Sequence, residues 1–168
     1  ELIWAGLLAM IEEYVGSLHI ERALTAGVRH DELRAAIRLG GVATAWKAVA
    51  FAHTHWARLL GDGPDGAAEY RIVVDGARGP LTEVEADLIL VNLAGARMQR
   101  DQFLHHLERL IAAGVPEREI IESISYLMVP MGANIFLWAT DAWFEAVEEG
   151  LLPKGEVLSQ VSFDTRKT

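Results

Sequence analysis

The sequence contains no cysteine. That single absence excludes disulfide cross-links, a thiolate nucleophile, cysteine-held iron–sulfur clusters and cysteine zinc sites. Basic residues are also scarce, with 15 Lys and Arg against 24 Asp and Glu, giving a formal net charge of −9. No basic run occurs, so the clustered cations that displace counterions from phosphates are missing, and nucleic acid is not an expected partner. Long apolar runs are lacking too. The most apolar stretch, 120–140, contains Glu122, Pro130, Gly132 and Asn134, which a bilayer-spanning helix of about twenty residues rarely accommodates together. It reads as buried core, and no membrane association is expected. With no basic-then-apolar leader in view, the chain reads as cytoplasmic.

What the sequence does have is a repeat. The chain is 51% apolar over 168 residues, enough to bury a sizeable core. Sliding it against itself by 87 positions aligns Ala26-Gly27-Val28 with Ala113-Gly114-Val115 without a gap. Between Glu1/Leu88 and Arg58/Glu145, 12 of 58 pairs are identical, including His19/His106, Arg22/Arg109, Glu32/Glu119 and Trp56/Trp143. Unrelated chains of average composition match at roughly one position in fifteen to twenty, so duplication of one helical unit is expected.

Each copy reads as helix, helix, glycine stop, helix, break, helix, an all-α chain without strands in its repeats. Thr82 followed by Glu85 is a capping-box pattern that should open one helix. Gly114 should end the next, and Pro116 suits the first turn of the one after it. In the first copy Gly27 is the stop and Asp31 the expected N-cap. Gly40-Gly41 and Pro130/Gly132 should each break a longer helix in two. The resulting division is 1–60 for the first repeat, 61–80 for a linker, 81–150 for the second repeat and 151–168 for an extended tail. Within the linker, Ile72 to Val74 is at most a marginal strand. From Lys154 on, the chain is expected to run over a surface or a neighbouring subunit.

A histidine-bearing helix, then Ala-Gly-Val, then an acidic helix start leading to a Gly- or Pro-marked bend resembles the carboxymuconolactone decarboxylase and alkylhydroperoxidase D-like superfamily. The carriers are His19 to Val28 with Glu32, and His106 to Val115 with Glu119. The resemblance covers about two thirds of the chain. It implies two tandem alkylhydroperoxidase D-like repeats packed into one pseudo-two-fold body, and a homo-oligomer, with a trimer favoured. The peroxidase branch carries C-x-x-C with a histidine four residues after the second cysteine. Those cysteine positions fall on Glu12 and Val15 in one copy and on Gln99 and Gln102 in the other. The upstream acid of the pattern falls on Asp87. With the thiols gone, the resemblance implies the branch that works without cysteine: a protein that binds a small organic, perhaps carboxylated or lactone, molecule. The implied chemistry is cofactor-free acid/base decarboxylation, isomerisation or ring opening; the alternative is a non-catalytic oligomeric or ligand-binding member.

His19 and His106 lead the candidates for catalysis, being retained at one position in two copies that otherwise diverge. Read on a helix, Glu12, Val15 and His19 share a face, as do Gln99, Gln102 and His106. Glu12 and Glu13 are therefore expected to act with His19 in proton transfer, and Gln99 and Gln102 to bind substrate. Among the tryptophans, Trp4, Trp46 and Trp138 have no repeat counterpart, and Trp46 and Trp138 are carried as pocket-lining residues. Asp101 and His105, four apart, form an expected carboxylate–imidazole pair that would raise the histidine's pKa. His53 and His55, two apart on a helix, point away from each other. No metal site and no cofactor is expected, since no His-x-x-x-His pair exists.

Overall fold

In the computed structural model residues 1–155 are described, so most of the expected tail lies outside them. The described chain is helical throughout, with no strand. The elements are α1 (Leu2–Met10), α2 (Gly16–Thr25), α3 (His30–Val42), α4 (Ala45–Leu60), α5 (Gly66–Arg78), α6 (Glu83–Ala96), α7 (Arg100–Ala112), α8 (Glu117–Ser125), the short α9 (Met128–Met131) and α10 (Ala133–Glu148). Among these residues no helix is long and apolar enough to cross a membrane.

The centre of the molecule is α6, which packs on α7, α1, α3, α8, α10 and α5. It is apolar nearly all round, and from Ile89 to Ala96 every residue is buried, as a helix without a polar face must be. Thr82 caps it: its hydroxyl accepts from the Glu85 amide, and the Glu85 carboxylate accepts from the Thr82 amide. The two glycine stops are built alike. Gly27 and Gly114 have φ of 90° and 76°. The Val28 and Val115 amides donate back to Ala23 and Leu110, and the glycine amides to Leu24 and Ile111. The left-handed glycine turns the chain so that these last carbonyls are satisfied.

Four local expectations are corrected. Arg29, not Asp31, occupies the N-cap of α3. The Glu32 carboxylate accepts the Arg29 amide at 2.8 Å, and Asp31 sits in the first turn. Gly40-Gly41 does not break the helix: α3 runs through both to Val42. Gly40 is there for packing, since a Cβ on it would stand 2.9 Å from the Gly6 carbonyl oxygen of α1. The bend falls instead at Ala43-Thr44, while the expected break at Pro130/Gly132 is present, with Gly132 at φ 88°.

The 61–80 stretch is not a linker with a strand, because α5 fills 66–78. Asp65 caps α5 by accepting the Ala68 amide. Tyr70, Val74 and Ala77 form its buried stripe, while Ile72 and Val73 face solvent. Finally, the 120–140 stretch is core only in part. Ile120, Ile124, Leu127 and Ala139 are buried, but Val129 and Leu137 are exposed.

Candidate functional site

The helices bring together one buried polar cluster, drawn from α5, α6, α7 and the bend after α3. His106 and Gln102 lie one turn apart on the inner face of α7. Asp87 comes from α6, Tyr70 and Arg71 from α5, and the Ala43 carbonyl from the α3–α4 bend. Asp87, Gln102, His106 and Tyr70 are all buried.

The bonds run in a line. His106 Nδ1 meets Asp87 Oδ1 at 2.9 Å, and His106 Nε2 meets the Tyr70 hydroxyl at 3.2 Å. Gln102 Nε2 donates to the Tyr70 oxygen at 2.8 Å and to the Ala43 carbonyl at 3.0 Å. Arg97 donates to the same carbonyl at 2.8 Å. Asp87 also accepts from Arg71 Nη1 at 3.1 Å and Arg109 Nε at 3.0 Å, and Arg109 reaches on to Glu83.

Charge assigns the protons. Burial alone would raise the Asp87 pKa, but its bond to His106 and the guanidinium groups of Arg109 and Arg71 outweigh burial and hold the carboxyl below its usual range. For His106 burial dominates; with Arg71 and Arg109 opposing a second positive charge, the ring stays below the usual imidazole range despite Asp87. The pair is therefore an ionised carboxylate and a neutral imidazole. Nδ1 carries the hydrogen and donates to Asp87, which leaves Nε2 to accept from the Tyr70 hydroxyl. Burial pushes the phenol pKa upward, so Tyr70 keeps its proton. Because Ala43 offers only an acceptor, the Gln102 amide nitrogen must face it. Gln102 Oε1 is then left buried without a partner.

His19 makes a smaller arrangement of its own. His19 Nδ1 meets Glu1 Oε2 at 2.8 Å, but these side chains are 17% and 30% exposed, against 0% and 4% for His106 and Asp87. The His19 ring stacks on Trp4, with centroids 4.3 Å apart and planes 9° apart.

The remaining expected residues scatter. Glu12 and Glu13 do not share a helical face with His19, because α2 begins at Gly16 and both lie in the turn before it. Glu12 there has φ 57°, and Glu13 accepts the Val15 amide. Gln99 is the N-cap position of α7 and donates to the Arg97 carbonyl, away from the Asp87–His106 line. Trp138 packs on Phe103. Trp46 does reach the cluster, with ring centroids 5.1 Å from both Tyr70 and His105. The pKa of His105 is not raised by Asp101. Burial chiefly, with His106 and Arg109 beside it, lowers it to about 4, and its Nε2 is buried without a partner.

Tyr70 and Arg71 escaped the sequence reading. The signal that would have found them is the i, i+4, i+7 spacing of Tyr70, Val74 and Ala77, hidden behind the Gly-, Asp- and Pro-rich start of their segment. Among the described residues no group of three or more His, Asp or Glu is placed to hold a metal.

Two cavities among the described residues bear on the candidate site. One, of about 270 Å³, is lined by Trp46, Ala50, His53, Thr54, Gly66 and Ala67. The other, of about 410 Å³, lies along α2 against Leu18, Glu21, Arg22, Thr25 and Ala26. Neither is lined by His19 or His106.

Fold and cluster together define an all-helical protein with a buried, hydrogen-bonded Asp87–His106–Tyr70 line at its centre. Comparison with protein-family models, with curated proteins and with solved structures gave no match.

Proposed function

We propose that the chain is a cysteine-independent acid/base protein acting on a small organic molecule, in keeping with its resemblance to the carboxymuconolactone decarboxylase-like proteins. The supporting observation is the line Asp87–His106–Tyr70, in which every proton has a defined owner. A substrate proton taken up on the second lone pair of the Tyr70 oxygen releases the phenolic proton to His106 Nε2. Asp87 then holds the imidazolium it creates. Gln102 orients the phenol, and Arg71 and Arg109 keep Asp87 ionised. No thiol and no cofactor enters these steps. Lyase or isomerase chemistry on a carboxylated or lactone substrate is what such a proton shuttle serves, and assembly into a homo-oligomer belongs to the same reading.

One observation favours a second reading. His106, Tyr70 and Gln102 are fully buried, which suits a non-catalytic ligand-binding or assembling protein in which the polar line braces the helices. The test is deuterium exchange or turnover on a panel of carboxylated lactones and unsaturated acids in heavy water, followed by proton NMR. The acid/base reading predicts exchange that Tyr70→Phe and His106→Gln each slow by about a hundredfold or more. Exchange unchanged in both variants removes it, and a wild-type chain inert toward the whole panel supports the bracing role.

A further inference from the structure

The 270 Å³ cavity between α4 and α5 has two unlike ends. Its walls include the Trp46 indole and the methyl groups of Ala50 and Ala67, a flat apolar surface. The other end carries His53 and Thr54. The Thr54 hydroxyl gives its hydrogen to the Ala50 carbonyl at 2.8 Å, so toward the cavity it offers lone pairs alone. The His53 imidazole can donate or accept, and among the described residues it has no hydrogen-bond partner. Gly66 keeps this end open. A Cβ there would stand 3.3 Å from His53 Cβ and 3.4 Å from its ring, so any larger residue would fill the space beside the imidazole.

A carboxylate suits this end poorly. It only accepts, it would face the Thr54 lone pairs, and it would enter a protein of net charge −9. A hydroxyl both donates and accepts, and so satisfies Thr54 and His53 together. The volume lies just below the usual range for drug-sized ligands, about 300–1,000 Å³, which limits the occupant to roughly one ring or a short conjugated chain.

We propose that the cavity lined by Trp46, His53, Thr54 and Gly66 is a binding site for a small, neutral, planar hydroxylated molecule, a phenol or an enol. Trp46 meets its face, and His53 with Thr54 meets its hydroxyl. Trp46 also packs edge-on against Tyr70, but Tyr70 does not line the cavity, and the site stands on its own geometry.

The experiment is an NMR titration of the whole chain with p-cresol, toluene and p-toluate, following the Trp46 indole and His53 ring signals. A ligand of this size binds in about the millimolar range. The expected order is p-cresol first, toluene second, p-toluate last. Gly66→Val, which fills the cavity from the first turn of α5, should weaken p-cresol about tenfold or more while circular dichroism shows the helical fold retained. Trp46→Ala should do the same, and His53→Ala with Thr54→Val should erase the advantage of p-cresol over toluene. Overturning results are p-toluate binding tighter than p-cresol, no saturable p-cresol binding, or binding that Gly66→Val leaves within about twofold. Tyr70 does not line the cavity, so Tyr70→Phe should leave p-cresol affinity within about twofold. The two proposals therefore fail separately: the relay if Tyr70→Phe keeps exchange activity, the cavity if Gly66→Val keeps binding.

Discussion

His19 and His106 align when the sequence is slid against itself by 87 positions, and each turns Nδ1 toward a carboxylate at nearly the same distance, 2.8 and 2.9 Å. The surroundings differ. Asp87 is buried and held by two guanidinium groups, whereas Glu1 and His19 are part exposed beside Trp4. The second ring nitrogen of His106 is taken by Tyr70, a residue from α5 that lies outside either repeat. Trp143 is likewise buried, while Trp56, which aligns with it at the same 87-position shift, is half exposed. The two carboxylates come from positions that do not align, since Glu1 matches Leu88 and not Asp87; burial makes the His106 contact part of a network and leaves the His19 contact a pair.

The largest expected effect separates the two acids. Asp87→Ala leaves Arg71, Arg109 and the His106 Nδ1–H without their common acceptor in a buried place, and should cost about 3–5 kcal/mol. Glu1→Ala, at a part-exposed pair, should cost less than about 1 kcal/mol. Chemical denaturation of both variants measures this. Equal losses would mean that the two pairs are energetically alike and that burial does not distinguish them.

A smaller effect follows from pH. The folded pKa values of His105 and His106 both lie below that of an unfolded histidine, His105 at about 4. A group lowered in this way contributes stability that is complete above the unfolded value near 6.5 and is lost as pH falls toward the folded one. Stability should therefore drop by about 1–3 kcal/mol between pH 6.5 and 4, allowing for the partial exposure of His105. His105→Phe should flatten that slope. A slope that His105→Phe left unchanged would mean that burial of this ring does not set the pH dependence of the second region.

Much of the fold was legible in the sequence, and for local reasons. The Thr82–Glu85 box and the Gly27 and Gly114 stops depend on a few adjacent residues, so pattern alone exposes them. The Gly40-Gly41 pair misled because a glycine can serve a close helix crossing as well as a bend, and the partner carbonyl, at Gly6, is far away in sequence. For α5, turn-forming residues at its start outweighed the weak stripe behind them. The candidate site divides in the same way. His106 was found through its match to His19 in the self-alignment, Gln102 through its helical spacing from His106, and Asp87 through the family resemblance. Glu12 and Glu13 were misplaced because α2 starts four residues later than a continuous face would need. Tyr70 had no local mark of its role, since only tertiary packing brings it to His106.

The relay stands or falls on the protonation of one ring. Long-range proton–nitrogen NMR of the imidazoles reads tautomer and charge directly. It should show His106 neutral at pH 7, with hydrogen on Nδ1 and a bare Nε2. A charged His106 at pH 7, or a hydrogen on Nε2, would contradict the proton assignment on which the Asp87–His106–Tyr70 line depends.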